Sequence, residues 1–213
     1  MRLDTGFRPS RNGFGFANAW HDAILGIVAS RGRCGGMVFA ALDHFIGETT
    51  LEPEAVARDL PPHRSPLERF IWRRQVDSVV IHAGANLARF AALTYLPATG
   101  PGGIASATRR ELLPLFDCLR AGVPAPLGMV SGISLRHLVR NHQVLAYAAE
   151  FGDSSVTVEI YDPNHPMRDD VVLFVDLGGD ATVIETVGAK RVAWRGFFVE
   201  RYSPVTPPAG CVG

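Results

Sequence analysis

Val144-Leu145-Ala146-Tyr147-Ala148-Ala149 and Val156-Thr157-Val158-Glu159-Ile160-Tyr161, with Phe151-Gly152-Asp153-Ser154 between them, are the residues on which the fold class turns. Two short apolar and β-branched runs about a Gly-Asp-Ser group have the pattern of a β-hairpin. A connection that short joins antiparallel neighbours, because a parallel pair needs a crossover of a dozen residues or more. Further runs of the same kind follow at Val171 to Leu177, Ala181 to Val187 and Val192 to Tyr202. The second half, about 122–213, therefore reads as an antiparallel sheet.

The first half, about 1–121, reads as helical. Met37, Val38, Ala41, Leu42, Phe45 and Ile46 recur at helical spacing, and Gly47 is a natural stop. Ser65-Pro66-Leu67-Glu68 has the form of a capping box with Pro at the first helical position, which predicts a helix from 66 into the low eighties. Thr108-Arg109-Arg110-Glu111 has the same form; Pro114 implies a kink or a late start, and Gly122 an end. The segment 97–107 reads as a flexible joint, and 1–15 and 203–213 as loosely held ends. Helices first and strands second predict one α+β domain over 1–213.

The bulk numbers narrow the function classes. The chain has 213 residues, 47% apolar and 20% charged, with no net charge. That balance offers no electrostatic case for binding nucleic acid or an anionic membrane. No apolar run approaches the roughly 18–20 residues that span a bilayer. Met1-Arg2-Leu3-Asp4-Thr5-Gly6 has no apolar core of the signal-peptide kind. Three widely spaced cysteines, Cys34, Cys118 and Cys211, argue for a reducing compartment, and the expected location is cytoplasmic.

Arg33-Cys34-Gly35-Gly36-Met37 places a thiol at the expected start of a helix. Unpaired N–H groups and the helix dipole favour a thiolate there, and the two glycines leave the sulfur approachable. A thiolate nucleophile needs a base, and the base needs an orienting group. With the hairpin centred at Gly152, His142 falls opposite Asp162 on one face, which suits the carboxylate to hold Nδ1–H and leave Nε2 for the thiol. Asn164 is the reserve orienter.

These residues resemble those of papain-like cysteine peptidases, in particular the bacterial peptidases that trim double-glycine leaders. Gly32-Arg33-Cys34-Gly35-Gly36-Met37 resembles the nucleophile at the head of the central helix. Gly122-Val123-Pro124-Ala125-Pro126-Leu127 resembles the Gly-x-Pro entry to the sheet. Asn141-His142-Gln143-Val144-Leu145-Ala146-Tyr147 and Ile160-Tyr161-Asp162-Pro163 resemble the histidine strand and its partner. The resemblance implies a papain-like fold, a peptide or protein substrate, no cofactor and no metal, with Cys34 as nucleophile, His142 as base and Asp162 as orienter. The family's glutamine upstream of the cysteine is missing, and Asn18 is the candidate oxyanion donor in its place.

Other readings stand beside this one. A transglutaminase-like or N-acetyltransferase-like acyl transferase uses the same three residue types in the same order. A papain-like domain that binds a partner without chemistry suits the missing glutamine. His142, Asp162 and His165, with Asp169 or Asp170, have the ligand types of a two-histidine, one-carboxylate metal site, but at no standard spacing. Arg73, Arg74, Arg109 and Arg110 read as solvated helix faces, and Trp194, Phe197 and Phe198 as core or sheet-face residues.

Overall fold

The computed structural model describes residues 1–24, 28–51, 53–134, 140–178 and 182–208. Along the chain the elements are β1 (Arg2–Asp4), α1 (Pro9–Asn12), β2 (His21–Ile24), β3 (Val28–Arg31), α2 (Cys34–Ile46), α3 (Pro53–Val56), α4 (Pro66–Tyr95), α5 (Ile104–Arg120), β4 (Ala125–Val130), β5 (His142–Phe151), β6 (Ser155–Tyr161), β7 (Val171–Asp176), β8 (Val183–Val187), β9 (Lys190–Trp194) and β10 (Gly196–Val199). This is an α+β fold. One antiparallel sheet runs in the order β10-β4-β5-β6-β7-β8-β9, and β1 continues the lane of β4 along β5. The helical-then-strand division holds except for β1 and the separate β2-β3 pair, which form in the half expected to be helical.

β5 is buried on both faces, which is why its sequence reads as a continuous apolar run. Leu145 and Tyr147 face a core shared with Met37, Phe39 and Leu42 of α2 and with Ile71 of α4. Val144 and Ala146 face a second core with Leu115 and Leu119 of α5 and Phe197 of β10. The sheet curls, so that Trp194 of β9 stacks on His142 of β5 although β6, β7 and β8 lie between them in the hydrogen-bonded order.

α2 begins at Cys34 and stops at Gly47, as its periodicity predicts. The two glycines after Cys34 have a packing role rather than the expected one of exposing sulfur. A Cβ on Gly36 would lie 2.2 Å from the Ile71 carbonyl oxygen of α4, and one on Gly35 would lie 2.2 Å from Gln143 Oε1. Gly36 thus lets the head of α2 lie against the α4 backbone, and Gly35 leaves room for the Gln143 side chain of β5.

Ser65 caps α4 as the motif predicts, its hydroxyl accepting from Glu68 N–H at 3.2 Å. The helix continues past the low eighties to Tyr95, but Ala83 and Gly84 take positive φ (57° and 76°) and interrupt its path near the expected end. Buried Asn86 follows this break. Its Nδ2 donates to the Ser78 carbonyl at 3.1 Å, and its Oδ1 accepts from Arg201 N–H at 2.9 Å.

Thr108 is not a cap. α5 starts earlier, at Ile104, runs through Pro114 and ends before Gly122, whose φ of 78° suits a helix stop. Thr108 is buried in the helix and accepts from Phe197 N–H at 3.3 Å. The expected joint at 97–107 is therefore partly helix, with Ile104 and Ala105 in the interior.

The N-terminal segment is not loose either: β1 pairs with β5, and Phe7 and Phe14 have no exposed surface. The expected single strand at 192–202 is two, β9 and β10, separated at Arg195. Phe197 and Phe198 are core residues as expected. Arg74 is the largest departure. It is fully buried, paired with Asp43 at 2.7 Å, and lies over the rings of Phe39 and Tyr202. Arg109 is half-buried, while Arg73 and Arg110 are exposed as expected.

Candidate functional site

Cys34 is the first residue of α2 and is partly exposed. The chain reaches it through Gly32, whose φ of 105° makes the bend that turns the backbone into the helix. Asn18 braces that bend. Its Oδ1 accepts from Arg33 N–H, and its own N–H donates to the Pro163 carbonyl at 2.9 Å, tying the head of α2 to the residues after β6. Its Nδ2 approaches Asn164 Oδ1 at 3.5 Å. Arg33 is buried between the rings of Trp20 and Trp72, each 4.9 Å away, and its charge is met by Glu68. Gly36 N–H, one of the donors left over at a helix start, donates to Gln75 Oε1 at 2.8 Å.

His142 opens β5, and Asp162 follows the last residue of β6. The expected register is displaced. Leu145 pairs with Tyr161 rather than with Glu159, and a bulge between Ala146 and Ala148 shifts the ladder again toward the turn. The displacement at the His142 end is two residues, so both side chains stay on one face and meet diagonally.

His142 Nε2 donates to Asp162 Oδ1 at 2.6 Å. The ring is thus reversed from the expected orientation, with Nε2 on the carboxylate. Asp162 Oδ1 also accepts from Asn164 N–H at 2.8 Å, closing a local turn, and the Asn164 side-chain amide lies 3.1 Å from His142 Nε2. Asn164 therefore flanks the pair that Asp162 makes.

Burial opposes a charge on the His142 ring. The adjacent Asp162 carboxylate outweighs that effect, and a hydrogen bond with Cys34 adds to it, so His142 is held well above an ordinary imidazole. Burial pushes the Asp162 carboxyl up, but the charge and hydrogen bond of His142, the Asn164 N–H and a hydrogen bond with Glu185 bring it down to about 2.

Four further residues belong to the site and were not expected from the sequence. Cys34 Sγ donates to Gln143 Oε1 at 3.8 Å, and Gln143 Nε2 donates to both oxygens of buried Glu200 at 2.9 Å. On the other side of the histidine, Trp194 stacks on the ring with centroids 6.1 Å apart, and its indole Nε1 donates to Glu185 Oε2 at 2.8 Å. Glu185 was detectable: it shares the inward phase of β8 with Val183, a place where a carboxylate needs a reason.

The residues of the alternative metal reading are grouped differently from that reading. Asp162, His165 and Glu185 present ligand atoms within 4.8 Å of one another, whereas Ser10 binds Asp169 and Arg168 pairs with Asp170. No metal is needed to account for Asp162, which His142 and Asn164 already engage.

Burial pushes the Glu200 carboxyl from 4.5 up to about 8, against the opposing pull of Gln143 and of the Arg89 charge. The folded protein then keeps a proton that the unfolded chain releases, so the contribution of Glu200 to stability is full below about 4.5 and is lost as pH rises through about 8. Urea unfolding at both ends of that window is expected to give a lower midpoint at the alkaline end, and Glu200→Gln is expected to flatten the difference. An equal pH dependence in the variant would refute this assignment.

Cys118 lies on α5, where burial raises its thiol; Cys211 lies outside the described residues. Among the described residues, no helix is long and apolar enough to cross a membrane. Comparison of the chain with protein-family models, curated proteins and solved structures finds no match.

Proposed function

We propose that the protein is a cysteine-dependent acyl-transfer enzyme of papain-like arrangement, hydrolysing a peptide, isopeptide or side-chain amide through a thioester at Cys34. The observation that carries this reading is the placement of His142, gripped by Asp162 through Nε2 at 2.6 Å and near enough to Cys34 for the sulfur to favour its charged form. Three separate elements (the head of α2, the start of β5 and the end of β6) supply the groups.

In this reading the Cys34 thiol gives its proton to His142, and the sulfur attacks the substrate carbonyl carbon. The oxyanion that forms is met by the Cys34 backbone N–H at the helix start, with Asn18 as the side-chain donor. When the carbon–nitrogen bond breaks, the leaving amine takes the proton from His142. A water molecule then gives a proton to His142 and attacks the thioester. Its collapse releases the carboxylic acid and returns the proton to sulfur. Asp162 keeps the imidazolium oriented throughout without itself being protonated. No step requires a cofactor.

An activated ester tests the central step. Incubation with p-nitrophenyl acetate is expected to release a burst of nitrophenolate equimolar with protein and to leave an acetyl group on Cys34, located by peptide mass spectrometry. Acetylation spread over surface lysines, with Cys34 unmodified, would sink the proposal.

One observation favours a second reading, a papain-like domain that binds a partner without chemistry. Gln143 Oε1 faces the sulfur as an acceptor and suits a neutral thiol, while Glu200 holds the amide in that sense. The same experiment separates the two, since an inert thiol gives no burst.

A further inference from the structure

We propose that Glu185 is a positioning residue for the base: a neutral carboxylic acid, clamped by the Trp194 indole, that donates its proton to Asp162 and so holds that carboxylate toward His142. The inference rests on the reading of Cys34, His142 and Asp162 as a catalytic set, and adds a fourth member.

Asp162 and Glu185 are buried, 2% and 4% exposed, and bring carboxyl oxygens within 4.8 Å of each other. Two carboxylates that close and that dry are costly to ionise together, so the pair keeps one proton up to about neutral pH. The surroundings decide which group keeps it. Asp162 Oδ1 receives N–H donors from His142 and Asn164, both of which favour the charged form. Glu185 receives one neutral donor, Trp194 Nε1 on Oε2, which leaves its other oxygen for the shared proton. Burial first, and then the charge of Asp162, push Glu185 up to about 7, while Asp162 is held near 2.

The charged and titratable groups facing Glu185 are Asp162, His142 and the partly exposed His165, whose ring comes within 4.8 Å of Glu185 and whose Nε2 lies 3.9 Å from Asp162 Oδ2. A cation bound by Asp162, His165 and Glu185 is the competing use of this cluster. It would require both carboxylates ionised.

The arrangement also makes the site sensitive to pH near neutrality. When Glu185 loses its proton it stops donating to Asp162 and places a second negative charge beside it. Asp162 is then free to turn from His142, and the thiol loses an oriented base.

The test follows iodoacetamide capture of Cys34 across about pH 5 to pH 9 in wild type, Glu185→Gln and Glu185→Ala. Gln keeps both hydrogen bonds, its amide N–H to Asp162 and its carbonyl to Trp194, but cannot ionise. The wild-type rate is expected to show an inflection near 7 that Glu185→Gln lacks, so that the ratio of variant to wild type rises above that pH. Glu185→Ala, which lacks the donor at every pH, is expected to capture about tenfold more slowly than Glu185→Gln at the acid end, the effect of one lost hydrogen bond to a charged group.

The same inflection in Glu185→Gln, or equal rates for the Ala and Gln variants, would overturn the assignment. So would stoichiometric uptake of zinc by the wild type that Glu185→Gln abolishes. If Glu185→Ala fails to fold, the Gln profile still decides. Should wild-type Cys34 react no faster than a free thiol, the acyl-transfer reading fails by itself. Glu185 is then read from the His142 ring by NMR: its titration is expected to show a second step near 7 that Glu185→Gln removes, and a single step in the wild type overturns the inference.

Discussion

His142→Ala is expected to slow alkylation of Cys34 at neutral pH by about 10²–10⁴-fold, the range associated with a positioned general base. The expectation follows from the influence of Cys34 on His142 and from the grip of Asp162 on Nε2. The nitrophenolate burst should vanish in the same variant, because without a base the sulfur keeps its proton. Cys34→Ser serves as the blank for the labelling site. Asp162→Asn is expected to fall between wild type and His142→Ala, since an amide at that place still contacts Nε2 but no longer supports an imidazolium. Labelling of His142→Ala at the wild-type rate would remove the base from the argument and leave Cys34 an ordinary thiol.

Arg74→Met should be the most destabilising single change outside the site. Arg74 has no exposed surface, and its guanidinium lies 2.7 Å from Asp43. Asp43 is held by more than the arginine: Tyr202 O–H donates to it at 2.5 Å and Val205 N–H at 2.9 Å. These bonds fasten the chain beyond β10 across α2 and α4. Met retains much of the arginine's volume but leaves Asp43 charged and buried without a counter-ion, which costs about 3–5 kcal/mol.

For a chain of this size that corresponds to a fall in Tm of roughly 6–20 °C. Burial already raises the Asp43 carboxyl, and the arginine, Tyr202 and Val205 restrain it. Without Arg74 it rises further, so the loss should shrink as pH falls and Asp43 takes up a proton. Asp43→Leu with Arg74→Met should recover part of the loss, because replacing both partners removes the uncompensated charge. A single variant within about 1 kcal/mol of wild type, measured by urea unfolding, would show that the pair is dispensable.

Both predictions concern residues that the linear sequence treats unequally. Cys34, His142 and Asp162 were legible because each sits at an element boundary with a local signature: a Gly-rich helix start, the head of a strand and an Asp-Pro turn. Arg74 was misread, since a helix recognised from its capping residues does not show which of its polar residues will meet a carboxylate from another helix. The arginine is buried because Asp43, Phe39 and Tyr202 converge on it from α2 and the chain after β10.

Glu185 was legible only as a carboxylate on the inward phase of β8, and the places of Glu185, Trp194 and Glu200 in the site were out of reach for a related reason. They join the site through the curl of the sheet and the return of the final strand beside β4, which no local pattern encodes. Asn18 was singled out as an oxyanion donor, and the structure adds a brace on the bend before Cys34.

By itself the sequence determined the α+β class, the α2 start at Cys34, the Ser65 cap, most of the strands and the face shared by His142 and Asp162. All of these depend on short-range chemistry: apolar period, capping and turn residues, and the two-residue repeat of a strand. Only the tertiary structure decided the hairpin register, the orientation of the imidazole, the burial of Arg74 and the second carboxyl behind Asp162. Those depend on which surfaces meet. A register slip of two residues leaves the face pattern unchanged, so periodicity cannot detect it, whereas the packing of α2 against β5 and the curl that brings Trp194 onto His142 can.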